Sequence, residues 1–234
     1  MMKKVIKRTF VGFCVIIFIL CILFALKGYC LYKTATSQMD VAEKVQSIRD
    51  GAQYISLDMV SKDFLNCIVS VEDHRFYSHN GIDYISIGRA LINNVEAGRI
   101  VMGGSTITQQ LAKNMFFTSE QSVERKIAEL FVVNELEKNY SKNEILELYV
   151  NCIYYGDGYY GVRDASMGYF HKSPDKLSLQ ESALLAGLPQ APEDYSLTKN
   201  YSKAVARSRI VLSAVEKYGD EGKRDYSQLV SRLR

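Results

Sequence analysis

The chain has 234 residues, 47% of them hydrophobic and 24% charged, with three prolines and a net charge of +3. That size and composition describe one globular domain with a short extension, not two full domains. Six cations and no acid precede residue 40, so the remainder carries a net −3; such a surface excludes nucleic acid as the main partner, because phosphate backbones demand a strongly basic face.

The N-terminus opens on a basic tail, residues 1–9, containing Lys3, Lys4, Lys7 and Arg8. Phe10–Leu26 follows without a charge. With its neighbours up to residue 31 it is long enough to cross a hydrocarbon core of about 30 Å as a helix. The preceding cations predict a cytoplasmic N-terminus and an extracytoplasmic remainder. A cleaved signal peptide is the alternative, with Ala35-Thr36-Ser37 as the nearest small-residue site. Residues 32–54 read as a polar stalk, 55–215 as the domain and 216–234 as a polar C-terminal tail. Within the domain the text is helical nearly throughout, and no alternating strand pattern appears. Ser61 can cap a helix carrying Leu65, Ile68 and Val69. Tyr84–Met102 holds Ile85, Ile87, Leu91, Ile92 and Val95, which suit either core packing or contact with a membrane. Gln121–Tyr140 is an amphipathic helix. Ser141 with Glu144, and Ser178 with Glu181, form capping boxes, and Gly187 and Pro189 stop the last of these helices. Of five cysteines, three belong to the apolar segment. Cys67 and Cys152 read as free buried thiols, with a pairing left open, and no Cys/His spacing suggests zinc.

Three segments bear chemistry. Glu72-Asp73-His74-Arg75-Phe76 follows an apolar helix end, where a half-buried carboxylate suits proton transfer; a solvated helix end is the plainer reading. Gly103-Gly104-Ser105-Thr106-Ile107-Thr108-Gln109-Gln110 leads into a helix whose N-terminus suits an anion, with Lys113 two turns on. An ordinary capped helix, Thr106 with Gln109, explains the same residues. In Arg125-Lys126-Ile127-Ala128-Glu129, two cations share a helix face with one carboxylate, as surface ion-pair clusters also do.

EDHRFYSHNG, GGSTITQQLAKN, RKIAE, KNEILELYVN and GDGYYGVRDASMGYFHK occur here in one order. Together they resemble the five signature motifs of the peptidoglycan glycosyltransferase family, found in class A penicillin-binding proteins and in monofunctional forms. The likeness spans about residues 55–200. It implies a mainly α, lysozyme-like domain with a cleft between two lobes, behind an N-terminal transmembrane helix. It implies a growing glycan on polyprenyl pyrophosphate as donor, lipid II as acceptor, and a single-pass protein of the bacterial cytoplasmic membrane. By that resemblance Glu72 is the general base and Glu129 the second essential carboxylate. Arg89, Ser105, Thr106, Gln109, Gln110, Lys113, Asn114, Arg125 and Lys126 are substrate contacts, with Lys113, Arg125 and Lys126 on the pyrophosphate. Glu129 orients those cations or holds a divalent cation, magnesium or manganese, although no D-x-D motif is present. Other cell-wall synthesis proteins remain open as partners.

The chain departs from the family pattern at Gln121, where some monofunctional relatives carry arginine, and at Asp164 and Ser166 in the fifth motif. Ser173-Pro174-Asp175-Lys176 fits the S-x-x-K pattern of transpeptidases, but no K-T-G or S-x-N partner appears, so it reads as a turn and penicillin binding is not expected. Two rival functions are a lysozyme-type lytic enzyme and a non-catalytic scaffold of the cell-wall machinery.

Overall fold

The computed structural model describes residues 2–99, 103–118 and 120–219. The end of the Tyr84–Met102 segment and most of the expected C-terminal tail therefore lie outside the described residues. The chain order is α1 (Met2–Ala35), α2 (Val41–Arg49), α3 (Lys62–Glu72), α4 (Tyr84–Ala97), α5 (Ile107–Phe116), α6 (Val123–Asn139), α7 (Lys142–Cys152), α8 (Val162–Phe170), α9 (Leu179–Gly187) and α10 (Tyr201–Tyr218). Among the described residues there is no strand, only an isolated antiparallel bridge between Tyr154 and Tyr160. The mainly α expectation holds.

Helix starts follow local side-chain chemistry. Thr106, Ser141 and Ser178 each cap a helix in reciprocal boxes with Gln109, Glu144 and Glu181, satisfying backbone N–H groups that have no partner within the helix. Asp83 caps α4 by accepting from the Ile85 and Ser86 N–H groups. Ser61 departs from expectation. It occupies the N-cap of α3 without a capping bond; its hydroxyl donates to the Leu177 carbonyl at 3.3 Å, and its N–H to the Pro174 carbonyl at 3.0 Å. The 3₁₀ turn Pro174–Lys176 thus competes for the side chain that would have capped the helix.

The core is one contiguous cluster. α3 packs on α9 and α10, and α5 on α6 and α7, with Phe64, Ile68, Leu111, Leu136, Tyr149 and Leu185 fully buried. Cys67 is buried and Cys152 half-buried, and both are free. Burial pushes the Cys152 thiol up to about 12, which makes it inert as a nucleophile at neutral pH.

Among the described residues, α1 is the helix long and apolar enough to cross a membrane: Thr9–Ala35, mean hydropathy 3.0, with none of its most apolar window buried. Its last turns dock on α6. Tyr32 stacks on Phe131 and Tyr29 meets the same ring edge-on, each at 5.3 Å; the Tyr32 hydroxyl donates to Glu135, and Lys27 lies 4.0 Å from Glu124. A Cβ at Gly28 would stand 2.6 Å from Ile127 Cβ, so only glycine admits this approach.

The segment expected as a stalk contains α2, and it is tied to the domain. Val41 and Val45 are buried, Arg49 pairs with Glu144 at 2.9 Å, and Asn151 exchanges two hydrogen bonds with the Ile55 backbone. Asp40 and Glu43 close α2's own capping box, a signal that the short, mixed-charge text obscured. On α4 only Ala90 is buried, while Tyr84, Ile85, Leu91, Ile92 and Val95 are each more than half exposed. Of the two readings for this segment, core packing fails.

Candidate active site

α3 ends on Glu72, whose carboxylate enters a cleft of ≈ 1380 Å³ bounded by α4, the start of α5, α6 and α10. Gln110 donates from Nε2 to Glu72 Oε2 at 2.7 Å. Arg207 on α10 brings Nη2 to 3.6 Å from Glu72 Oε1. Burial raises the Glu72 pKa; the Gln110 hydrogen bond and then the Arg207 and Lys113 charges oppose it, while Asp73 adds to it. The result is a carboxylate that binds a proton more tightly than in water yet faces donors that favour its charged form.

Asp73 turns the chain immediately afterwards. Its buried carboxylate accepts from His79 at 3.0 Å and from the Ile107 N–H at 3.1 Å. The first motif thereby fixes the N-terminus of α5. Thr106 completes the joint, its hydroxyl donating to the Gly81 carbonyl at 2.6 Å. Gly81 sits at φ +79, a conformation that glycine adopts without strain, and Val133 of α6 crowds the place of a side chain there.

On the opposite wall α6 presents Arg125 and Lys126. Glu129 is fully buried behind them, bonded to Arg125 and to Lys126 Nζ at 2.8 Å. Lys126 also reaches Ser105 Oγ at 3.3 Å. Lys113 projects from α5 toward the same cations. Burial lowers its pKa; Arg125 and Lys126 push the same way, against Glu129 and Glu72. At the cleft mouth Arg89 donates to His74 Nε2 at 3.3 Å, and the His74 ring stacks on Tyr218 at 4.0 Å. Burial, followed by the Arg89 charge, lowers the His74 pKa.

Glu72, Arg89, Ser105, Gln109, Gln110, Lys113, Arg125 and Lys126 thus line one cleft, together with Gln121. Three expected residues are not on its wall. Thr106 is buried as a cap, Asn114 donates to the Gln110 carbonyl on an exposed helix face, and Glu129 lies behind the cations it holds.

The Transglycosylase family model matches residues 39–216. The chain belongs to the transglycosylase family. It is 45% identical over 179 residues to penicillin-binding protein 1A of Aquifex aeolicus, covering 76% of this chain and 25% of that one. With penicillin-binding protein 1F of Bacillus subtilis it shares 42% identity over 165 residues, 70% of this chain and 23% of that protein. A Cupriavidus necator protein described as a transglycosylase is 36% identical over 192 residues, covering 82% of this chain and 83% of its own length. The chain spans about a quarter of the length of the penicillin-binding proteins it matches.

Within this transglycosylase domain the residues around Glu129 do not fit a divalent cation. Both carboxylate oxygens already serve Arg125 and Lys126, and two cations at that distance oppose a third. Among the described residues, Asp73, His79 and Asp83 bring ligand atoms within 4.8 Å of one another. The two carboxylates are already engaged: Asp73 by His79 and the Ile107 N–H, Asp83 by Arg75 at 3.1 Å and by the α4 cap.

Arg207, on the cleft wall, is not among the residues expected from the sequence. It interrupts the buried stripe of α10, formed by Ala204, Ser208, Val211, Leu212 and Val215, and a charge in such a stripe was the available signal.

Proposed function

We propose that this domain polymerises lipid II into β-1,4-linked glycan strands. The observation that carries the reading is a single buried carboxylate, Glu72, facing the cleft that Lys113, Arg125 and Lys126 line. Glu72 takes the proton from the sugar 4-hydroxyl of the acceptor. The freed oxygen attacks the anomeric carbon of the donor, the bond from that carbon to the pyrophosphate breaks, and the configuration inverts from α to β. One displacement requires one base and no covalent nucleophile. Lys113, Arg125 and Lys126 hold the departing pyrophosphate, and Glu129 fixes the last two before the charge develops.

The exposed apolar face of α4 and the span of α1 suit a substrate whose lipid tail stays in the bilayer. In this reading the N-terminus is cytoplasmic and the domain lies on the outer face of a bacterial cytoplasmic membrane, crossed once. A lytic enzyme of the same shape would have no use for three cations beside the base. The test is incubation of the detergent-purified protein with labelled lipid II, with and without moenomycin. Lysozyme-sensitive polymer that disappears with the inhibitor supports the reading; hydrolysis of finished glycan without polymer would replace it with a lytic one.

A further inference from the structure

Behind the candidate base lies a partly buried chain of hydrogen bonds that reaches from α7 to the cleft. Tyr149 is fully buried in α7. Its hydroxyl donates to Gln110 Oε1 at 3.0 Å, and the other end of the same amide, Nε2, donates to Glu72 Oε2 at 2.7 Å. The glutamine is therefore polarised from one end to the other, an arrangement in which each bond strengthens the next.

An amide can turn over. With its N–H end toward Glu72 it stabilises a carboxylate; with its oxygen there it accepts from a carboxylic acid and stabilises the protonated form. The Tyr149 hydroxyl breaks that symmetry. Gln110 Oε1 is the acceptor it meets in the buried site, so turning the amide strands a buried O–H, a cost comparable to a lost hydrogen bond.

We propose that Tyr149 is a positioning residue for the transfer reaction, its hydroxyl locking the Gln110 amide with the N–H end toward Glu72. The inference rests on the reading of Glu72 as the base. It assigns to the fourth motif, which touches no substrate in that reading, a direct hold on the charge state of the cleft carboxylate. It also gives Gln110 a role distinct from gripping sugar hydroxyls, since both ends of its amide are engaged within the protein.

Glu72 is faced by Asp73 from its own helix end, by Gln110 and Lys113 from α5, by Arg207 from α10, and by the more distant hydroxyls of Tyr149 and Tyr155. Tyr149→Phe leaves every charge in that set unchanged and conserves the ring volume, so it isolates the lock. In the variant the amide turns freely, the protonated form of Glu72 gains a partner, and its pKa rises. Activity requires the ionised form, so the acid limb of the rate profile moves to higher pH.

The experiment is the pH dependence of labelled lipid II polymerisation by the full chain in detergent. Wild type, Tyr149→Phe, Gln110→Leu and the double variant are compared, with folding checked by thermal melting. The expected result is an upward shift of the acid limb by roughly 0.5–1 pH unit in Tyr149→Phe, the size of one net hydrogen bond. Gln110→Leu shifts the limb in the same direction, and the double variant behaves as Gln110→Leu alone. A Tyr149→Phe profile superimposed on wild type, or additive shifts in the double variant, overturns the proposal. Should Tyr149→Phe fail to fold, an unmoved limb in Gln110→Leu overturns it as well. A wild-type chain that makes no polymer, or an active Glu72→Gln variant, removes the base assignment on which the lock depends, and is distinguished from failure of the lock by that control.

Discussion

Arg207 of α10 sets its guanidinium 3.6 Å from the Glu72 carboxylate. It reaches that position across Gly187 of α9, where a Cβ would stand 2.9 Å from Arg207 Cγ. α10 thus lines the cleft and helps to keep Glu72 ionised. Arg207→Met retains much of the aliphatic bulk and removes the charge. The Glu72 pKa then rises and the acid limb of the polymerisation profile moves to higher pH, whereas Arg207→Lys restores part of the shift. A pH profile measured on the two variants checks this; a fall in rate without a moved limb would reduce Arg207 to a packing residue.

The raised pKa of Glu72 also makes a stability prediction. A carboxylate whose folded pKa lies above its unfolded value binds a proton more tightly in the folded state. Its contribution to stability is fully present below the ordinary glutamate pKa and is lost as pH rises through the folded value. Glu72→Gln removes this slope. The melting temperature of the variant relative to wild type is therefore expected to climb between acidic and neutral pH. A constant difference across that range would show that burial does not perturb Glu72.

Glu129 is a fully buried carboxylate bonded to two cations. Glu129→Ala leaves Arg125 buried without its partner and is expected to cost about 3 kcal/mol of stability, the penalty for breaking a buried ion pair. Denaturant titration measures it. Glu129→Gln keeps the shape and one acceptor and should lose less stability while still losing transfer. If both variants polymerise normally, the orienting role is wrong.

Lys113 belongs to the donor side of the cleft. Lys113→Ala is expected to weaken binding of the pyrophosphate mimic moenomycin by about tenfold or more, the value of one charge-assisted hydrogen bond. Titration of the inhibitor against fluorescence or heat would show it, and unchanged affinity would place the pyrophosphate elsewhere.

Much of this was legible in the residues because it depends on local chemistry. The capping boxes at Thr106, Ser141 and Ser178 need only a four-residue pattern. The face shared by Arg125, Lys126 and Glu129 needs only helical spacing. What was not legible is set by tertiary contact. Ser61 lost its cap to the Leu177 carbonyl, more than a hundred positions away. Residues 32–54 read as a stalk until α7 supplies Glu144 and Glu147 as partners for Arg49 and Tyr54. The exposed face of α4 shares its periodicity with a core helix, so pattern alone did not decide between them. Arg207 and Tyr149 sit within apolar stripes, and only the fold shows that Arg207 reaches Glu72 from α10 and Tyr149 reaches it through Gln110 from α7.

The most direct test of the central claim compares wild type with Glu72→Gln in the polymerisation of labelled lipid II, with thermal melting as the control for folding. With Glu72 as the base, wild type yields lysozyme-sensitive polymer and a variant that melts cooperatively yields none. A folded Glu72→Gln protein that polymerises at near-normal rate would contradict it, because no other carboxylate lines the cleft among the described residues.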